Sequence, residues 1–175
     1  MFVCSKNNEL SENAIISGNK STKSGGGIYM SMAAGGAASS LTMSGGEISQ
    51  NTAGTNGGGI EVYGGGVTMT GGNISGNTAE TNGGGVDASN RFTMSGGTIS
   101  DNKATTGDGG GVCQSNNTGT FTMSGGEISN NTAAGSGGGV QAGGYVFLMS
   151  DDAKISGNTA TGNGGGVNVS GTYGL

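Results

Sequence analysis

Side chains able to do chemistry are sparse in these 175 residues. There is no His, and 11 Asp and Glu stand against 6 Lys and Arg. General acid–base work needs two carboxyls, or a carboxyl and a base, held about 5–10 Å apart. The best available pair is Glu61 and Asp87, which occupy equivalent places in a recurring unit and so fall on neighbouring strands about 5 Å apart. No Lys or Arg file accompanies them, so they read as two solvated surface acids and not as a catalytic centre. Asp151-Asp152 stands where other units have Gly-Gly, and reads as a one-residue bulge with exposed acids, a weak cation site being the alternative. Gly107-Asp108-Gly109-Gly110-Gly111 has the wrong spacing for a calcium nonapeptide and occurs once, so Asp108 reads as a turn residue. No Gly-rich stretch ends in Gly-Lys-[Ser/Thr], so a phosphate cradle is unsupported. Cys4 and Cys113 fall in one outward file, four units apart. At about 4.8 Å per unit they are about 19 Å apart, beyond the Cα limit of about 7 Å for a disulfide, and should be free thiols. No metal or cofactor is expected.

Any positioning of these residues comes from a repeat. Ile-Ser-x-Asn recurs at Ile16–Asn19, Ile48–Asn51, Ile74–Asn77, Ile99–Asn102, Ile128–Asn131 and Ile155–Asn158. Gly-Gly-Gly-[Ile/Val] follows each time, ending at Ile28, Ile60, Val86, Val112, Val140 and Val167. An apolar-x-Met triplet reads Leu41-Thr42-Met43, Val67-Thr68-Met69, Phe92-Thr93-Met94, Phe121-Thr122-Met123 and Phe147-Leu148-Met149. Each unit thus holds three short alternating segments, typified by Phe-Thr-Met-Ser, Glu-Ile-Ser and Val-x-Val, separated by Gly- or Asn-rich turns. Alternation at period two marks a strand with one buried side. Gly at this density, 43 residues, costs a helix about 1 kcal/mol per position.

One unit of about 25–30 residues buries no core alone, but stacked units do, each strand pairing in parallel with its equivalent above and below. The fold class is therefore all-β, a parallel β-helix of about six rungs with three short strands each, spanning residues 1–175 as one solenoid. A propeller blade needs about 40–50 residues, more than the period allows. The Leu/Val/Phe, Met, Ile and Ile/Val columns should stack inward. Asn19, Asn51, Asn77, Asn102, Asn131 and Asn158 should form a ladder at a turn, each bonding backbone and the next rung. The stretches joining the Gly-triplet strand to the Met strand vary in length. They should project along one edge, where recognition tends to sit. Tyr29, Tyr63, Arg91, Asn116 and Tyr145 are the candidate binding residues there. Their aromatics would stack on sugar rings, or simply cover the edge, which is the favoured reading. Thr42, Thr68, Thr93 and Thr122 form an outward file ended by Leu148. Ice or surface binding would need a second unbroken file, and Thr52, Thr78, Thr132 and Thr159 are interrupted by Lys20 and Lys103.

Net charge of −5 argues against nucleic acid. No apolar run reaches the ~18 residues of a membrane span. The first ten residues lack the charged-then-apolar signal pattern. The chain begins and ends inside a rung without a polar cap. These features suggest a segment of a longer array, or one that associates end to end.

Ile-Ser-x-Asn followed by Gly-Gly-Gly-[Ile/Val] resembles the Phe-x-x-Asn and Gly-Gly-Ala-[Ile/Leu/Val] repeats of chlamydial polymorphic outer-membrane proteins and related bacterial β-helix surface proteins. The resemblance covers nearly the whole chain, with Ile in place of Phe and Gly in place of Ala. It implies a right-handed β-helix passenger on a bacterial surface, or secreted, that mediates adhesion to host-cell glycans or extracellular-matrix proteins. A carbohydrate-binding or carbohydrate-active β-helix is the alternative reading.

Overall fold

The structure is a computed structural model that describes residues 2–3, 7–32, 38–144 and 146–170. Those residues form the expected parallel solenoid and contain no helix, hence none long and apolar enough to cross a membrane. The strands assemble into three parallel sheets running the length of the stack, one of 7, one of 10 and one of 6 strands. Between the first and last strands of the six-stranded sheet the chain climbs about five turns. The six rungs are numbered below from the N-terminus.

The fourth rung shows the plan. Strand Arg91–Ser100 runs along the Met sheet, Lys103–Ala104 along the six-stranded sheet and Val112–Gln114 along the Gly-triplet sheet. Register is one unit per step throughout. Met94 lies between Met69 and Met123, Ile99 between Ile74 and Ile128, and Val112 between Val86 and Val140.

The three strands per rung are not the three segments that the alternation suggests. The Phe-Thr-Met-Ser and x-Ile-Ser segments belong to one sheet, joined through Gly96 and Gly97 by an irregularity in the pairing between Met94 and Thr98. The third sheet is made by two-residue strands directly after the Asn, such as Thr52–Ala53, Thr78–Ala79 and Thr132–Ala133. Two residues show too little alternation to read as a strand in a sequence. Pairing with their equivalents above and below creates them.

The core is a set of like-on-like columns. Met43, Met69, Met94 and Met123 are fully buried, as are Ile48, Ile74, Ile99 and Ile128. Phe92, Phe121 and Phe147 stack face to face, with centroids 5.2 and 5.1 Å apart and planes within 15° and 13°. Each such side chain contributes about 1.5–3 kcal/mol on burial. This compensates for a composition only 31% hydrophobic, because the repeat directs most of the large apolar residues inward.

The turn within Ile-Ser-x-Asn carries a hidden constraint. Its x residue has positive φ in every rung: Gly18, Gln50, Gly76, Asp101, Asn130 and Gly157, between 54° and 66°. A residue with a Cβ loses about 1–2 kcal/mol in this region, and Gly regains part of that against its greater unfolded-state freedom. Gln50→Gly is therefore expected to stabilise the protein by about 1 kcal/mol, read as a raised urea midpoint with unchanged slope. A lowered midpoint would mean that the Gln50 side chain makes a compensating contact.

Candidate functional site

Three polar files run along the stack, each built by the repeat. The Asn file lies at the corner between the Met sheet and the six-stranded sheet. Asn51, Asn77, Asn102 and Asn131 are buried. Asn77 Nδ2 donates to Asn102 Oδ1 at 2.9 Å and to the Ile48 carbonyl at 2.9 Å, and the Asn77 backbone N–H donates to the same Asn102 Oδ1 at 2.9 Å. Asn51 repeats this toward Asn77, and Asn131 toward Asn158. At the first rung, Asn19 is exposed and donates upward to Asn51 Oδ1 at 2.9 Å. The side chain thus closes the corner where the backbone turns away from sheet pairing.

A second file precedes the Gly triplets and was not read from the sequence as a connected set. The Asn82 N–H donates down to Asn56 Oδ1 at 3.2 Å, Asp108 N–H to Asn82 Oδ1 at 2.9 Å, Ser136 N–H to Asp108 Oδ1 at 2.6 Å, and Asn163 N–H to Ser136 Oγ at 3.1 Å. The signal was available, since every one of these positions is a short side chain with an oxygen acceptor. Asp108 is a turn residue of this file, as its spacing suggested.

The third file contains Tyr29, Glu61, Asp87, Cys113, Gln141 and Asn168, paired in register along the Gly-triplet sheet. Alternation assigned Glu61 and Asp87 to solvent. They are instead 6% and 2% exposed, and Cys113 is 3% exposed. The reason is in the backbone. The first Gly of each triplet has positive φ and folds its turn over the outer face of the strand. A Cβ on Gly57 or Gly83 would lie 2.7 Å from the backbone nitrogen of Glu61 or Asp87. The strand is consequently covered on both faces.

Burial dominates the electrostatics of this file. It raises the Glu61 carboxyl to about 8, with the Asp87 charge adding to the effect. It raises Asp87 to about 7, against the opposing Ser115 hydroxyl, which donates to Asp87 Oδ1 at 3.2 Å. The buried Glu61 Oε2 has no hydrogen-bond partner. The Cys113 thiol is also pushed up, by burial first and then by Asp87, Asp108 and Glu61, so it is a poor nucleophile. Cys4 lies outside the described residues. Among the described residues no group of three or more His, Cys, Asp and Glu side chains is placed to hold a metal ion. Asp151 and Asp152 are exposed, with Asp151 at φ 53°.

The candidate edge residues separate. Tyr63 is 55% exposed in the connection after the second rung, and Arg91 is exposed at the start of the fourth. Asn116 is half-buried, and its Nδ2 donates to Asn90 Oδ1 at 2.6 Å, tying two successive connections together. Tyr29 is no edge-loop residue. It sits in strand Ile28–Met30, half-buried in the third file one rung below Glu61. Tyr145 lies outside the described residues. The outward Thr42, Thr68, Thr93 and Thr122 are in register and give way to Glu9 at one end and Leu148 at the other. A recess of about 1310 Å³ lies against the first rung, lined by Ile16, Asn19, Lys20, Gly26 and Tyr29 among others.

Residues 13–31 match the family model of the Chlamydia polymorphic membrane protein repeat. The matched stretch holds Ile16-Ser17-Gly18-Asn19 and Gly25-Gly26-Gly27-Ile28, the motifs that recur in the other five rungs. That family is one of surface-exposed outer-membrane proteins. No curated protein and no solved structure shows a significant match to the chain. One rung matched outright, and five more built on its pattern into a parallel solenoid, make this chain a β-helix repeat protein similar to the Chlamydia polymorphic membrane proteins.

Proposed function

We propose that this chain is a non-catalytic structural and adhesive segment of a bacterial cell-surface or secreted protein. It is a stiff stalk whose edge connections bind host-cell glycans or extracellular-matrix proteins. The observation that supports this reading is the placement of variation. The connections that leave the Gly-triplet sheet and enter the Met sheet vary most in length, from two residues between Ala88 and Arg91 to nine between Met30 and Ser40, while equivalent connections elsewhere differ by at most one residue. Length changes there leave the stacking register intact, so binding surface can diverge on a constant scaffold. Tyr63 and Arg91 supply an exposed aromatic face and a guanidinium along that edge. Both are suited to ring stacking and to hydrogen bonding of hydroxyl-rich ligands. The carbohydrate-active alternative gains nothing from the acid pair, whose carboxyls lie beneath a turn instead of in a cleft.

The test is a glycan-array and matrix-protein binding screen on the folded chain. It runs beside a variant in which residues 63–65, 89–90 and 115–119 are replaced by Gly-Ser links. Binding that disappears in the variant supports recognition by the edge. Binding of equal strength in both overturns recognition by the edge, and none from well-folded protein overturns the adhesive reading and leaves a spacer.

A further inference from the structure

A carboxylate is rarely buried without a partner that answers its charge. Glu61 and Asp87 are two such groups on adjacent strands, in direct register, about 4.8 Å apart along the stack. Among the described residues no Lys or Arg forms an ion pair with either carboxyl. Within their file Tyr29 lies below Glu61, and the Cys113 thiol lies above Asp87. The Gly57 and Gly83 turns cover them with backbone, and the Ser115 hydroxyl reaches Asp87 from the neighbouring connection. Asp108, the remaining charged group that bears on this file, acts on Cys113 and is itself acidic. The ion pair among the described residues, Lys154 to Glu127 at 3.0 Å, lies on another sheet. One oxygen of Glu61 is buried without any hydrogen-bond partner.

We propose that Glu61 and Asp87 form a proton-held latch in the outer wall of the Gly-triplet sheet, closed when the pair is protonated and loosened when both carboxyls ionise. Two like charges one strand spacing apart in a desolvated file repel, and among the described residues neither has an ion-pair partner to relieve it. A proton retained between them removes the repulsion and gives the unpartnered Glu61 oxygen a bond to make. The part that moves is the cover: the turns led by Asn56 and Asn82, and the Ser115 connection.

The pH window follows from the direction of the shifts. Both carboxyls are raised in the folded protein, toward about 8 and about 7, from ordinary values of 4.5 and 3.8. Between those limits the folded state holds more protons than the unfolded chain, so stability falls as pH rises. The contribution is complete below the unfolded values, is lost as pH climbs, and levels off above about 8.

The test is urea unfolding of the wild-type chain, Glu61→Gln, Asp87→Asn and the double amide variant at a series of values from about pH 5 to about pH 9. Hydrogen exchange at residues 56–63 and 82–89 is followed in parallel. The wild-type unfolding constant should rise at least about tenfold from pH 6 to pH 9, a factor equal to one pKa unit of linkage. The double variant should show a much flatter profile and exceed the wild type in stability at pH 9. Exchange in the two turns should quicken with pH, beyond the intrinsic chemical rate, in wild type alone. Asp87→Asn provides the same comparison should Glu61→Gln fail to fold. Parallel pH profiles for wild type and variants, or exchange that is equally fast in both, would overturn the latch.

Discussion

Asn77→Ala should lower the unfolding free energy by about 3–4 kcal/mol, whereas Asn19→Ala should cost about 1 kcal/mol or less. The Asn77 side chain makes two donated and two accepted bonds. Its loss leaves the buried Asn51 N–H without its acceptor and the Ile48 carbonyl without this donor. Asn51 Nδ2 keeps the Ile16 carbonyl, and Asn102 Oδ1 keeps the Asn77 N–H, so the damage is concentrated on two groups. An orphaned buried group costs about 1–3 kcal/mol, and the small cavity left by the amide adds to it. Asn19 is exposed, so water replaces what its loss removes. Chemical denaturation of the two variants decides the matter. Equal losses at both sites, or less than about 1 kcal/mol at Asn77, would show that burial of the file is not what holds the corner.

Gly84→Ala is expected to cost about 3 kcal/mol or more, and Gly165→Ala almost nothing. Both are the middle residue of a triplet. A Cβ on Gly84 would lie 2.5 Å from the backbone nitrogen and carbonyl carbon of Lys103. Backbone cannot retreat there without breaking the bond from the Gly84 N–H to the Gly109 carbonyl at 3.0 Å. Overpacking typically costs about 1–3 kcal/mol, and more when the obstacle is main chain. Gly165, in the last rung, faces only the Asn158 carbonyl at 3.3 Å. Thermal unfolding of the pair separates steric exclusion from intrinsic propensity, since propensity would penalise both alike. Similar midpoints would reject the steric account.

The Met, Ile and Ile/Val columns made the register legible, because a repeat that places one residue type at one step per rung admits only one pairing. The Gly triplets were legible as corners for the same reason. What escaped was set by backbone, not by side-chain pattern. Alternation places Glu61 and Asp87 outside, and they are outside the core, yet the positive-φ Gly57 and Gly83 fold a turn over them. No period in the sequence reports that cover. Tyr29 was legible as a strand residue, since it follows Ile28 as Glu61 follows Ile60, and grouping it with the edge aromatics overlooked that equivalence. The left-handed residue within Ile-Ser-x-Asn was half visible. Gly, Asp and Asn at five of six positions indicate the conformation, and Gln50 obscures it.

The corner asparagines also give the molecule a sense of direction. In every contact between neighbouring asparagines the Nδ2 donor lies on the N-terminal side and the Oδ1 acceptor on the C-terminal side. The two faces of any rung are therefore unlike, as the two poles of a bar magnet are unlike. A rung set above must offer the amide acceptor, and a rung set below must offer amide donors together with the Ile carbonyl. Two such columns meeting by identical faces would bring donor to donor or acceptor to acceptor. A two-fold dimer through the ends is disfavoured, and growth by addition, whether by more repeats or by further copies, keeps one heading.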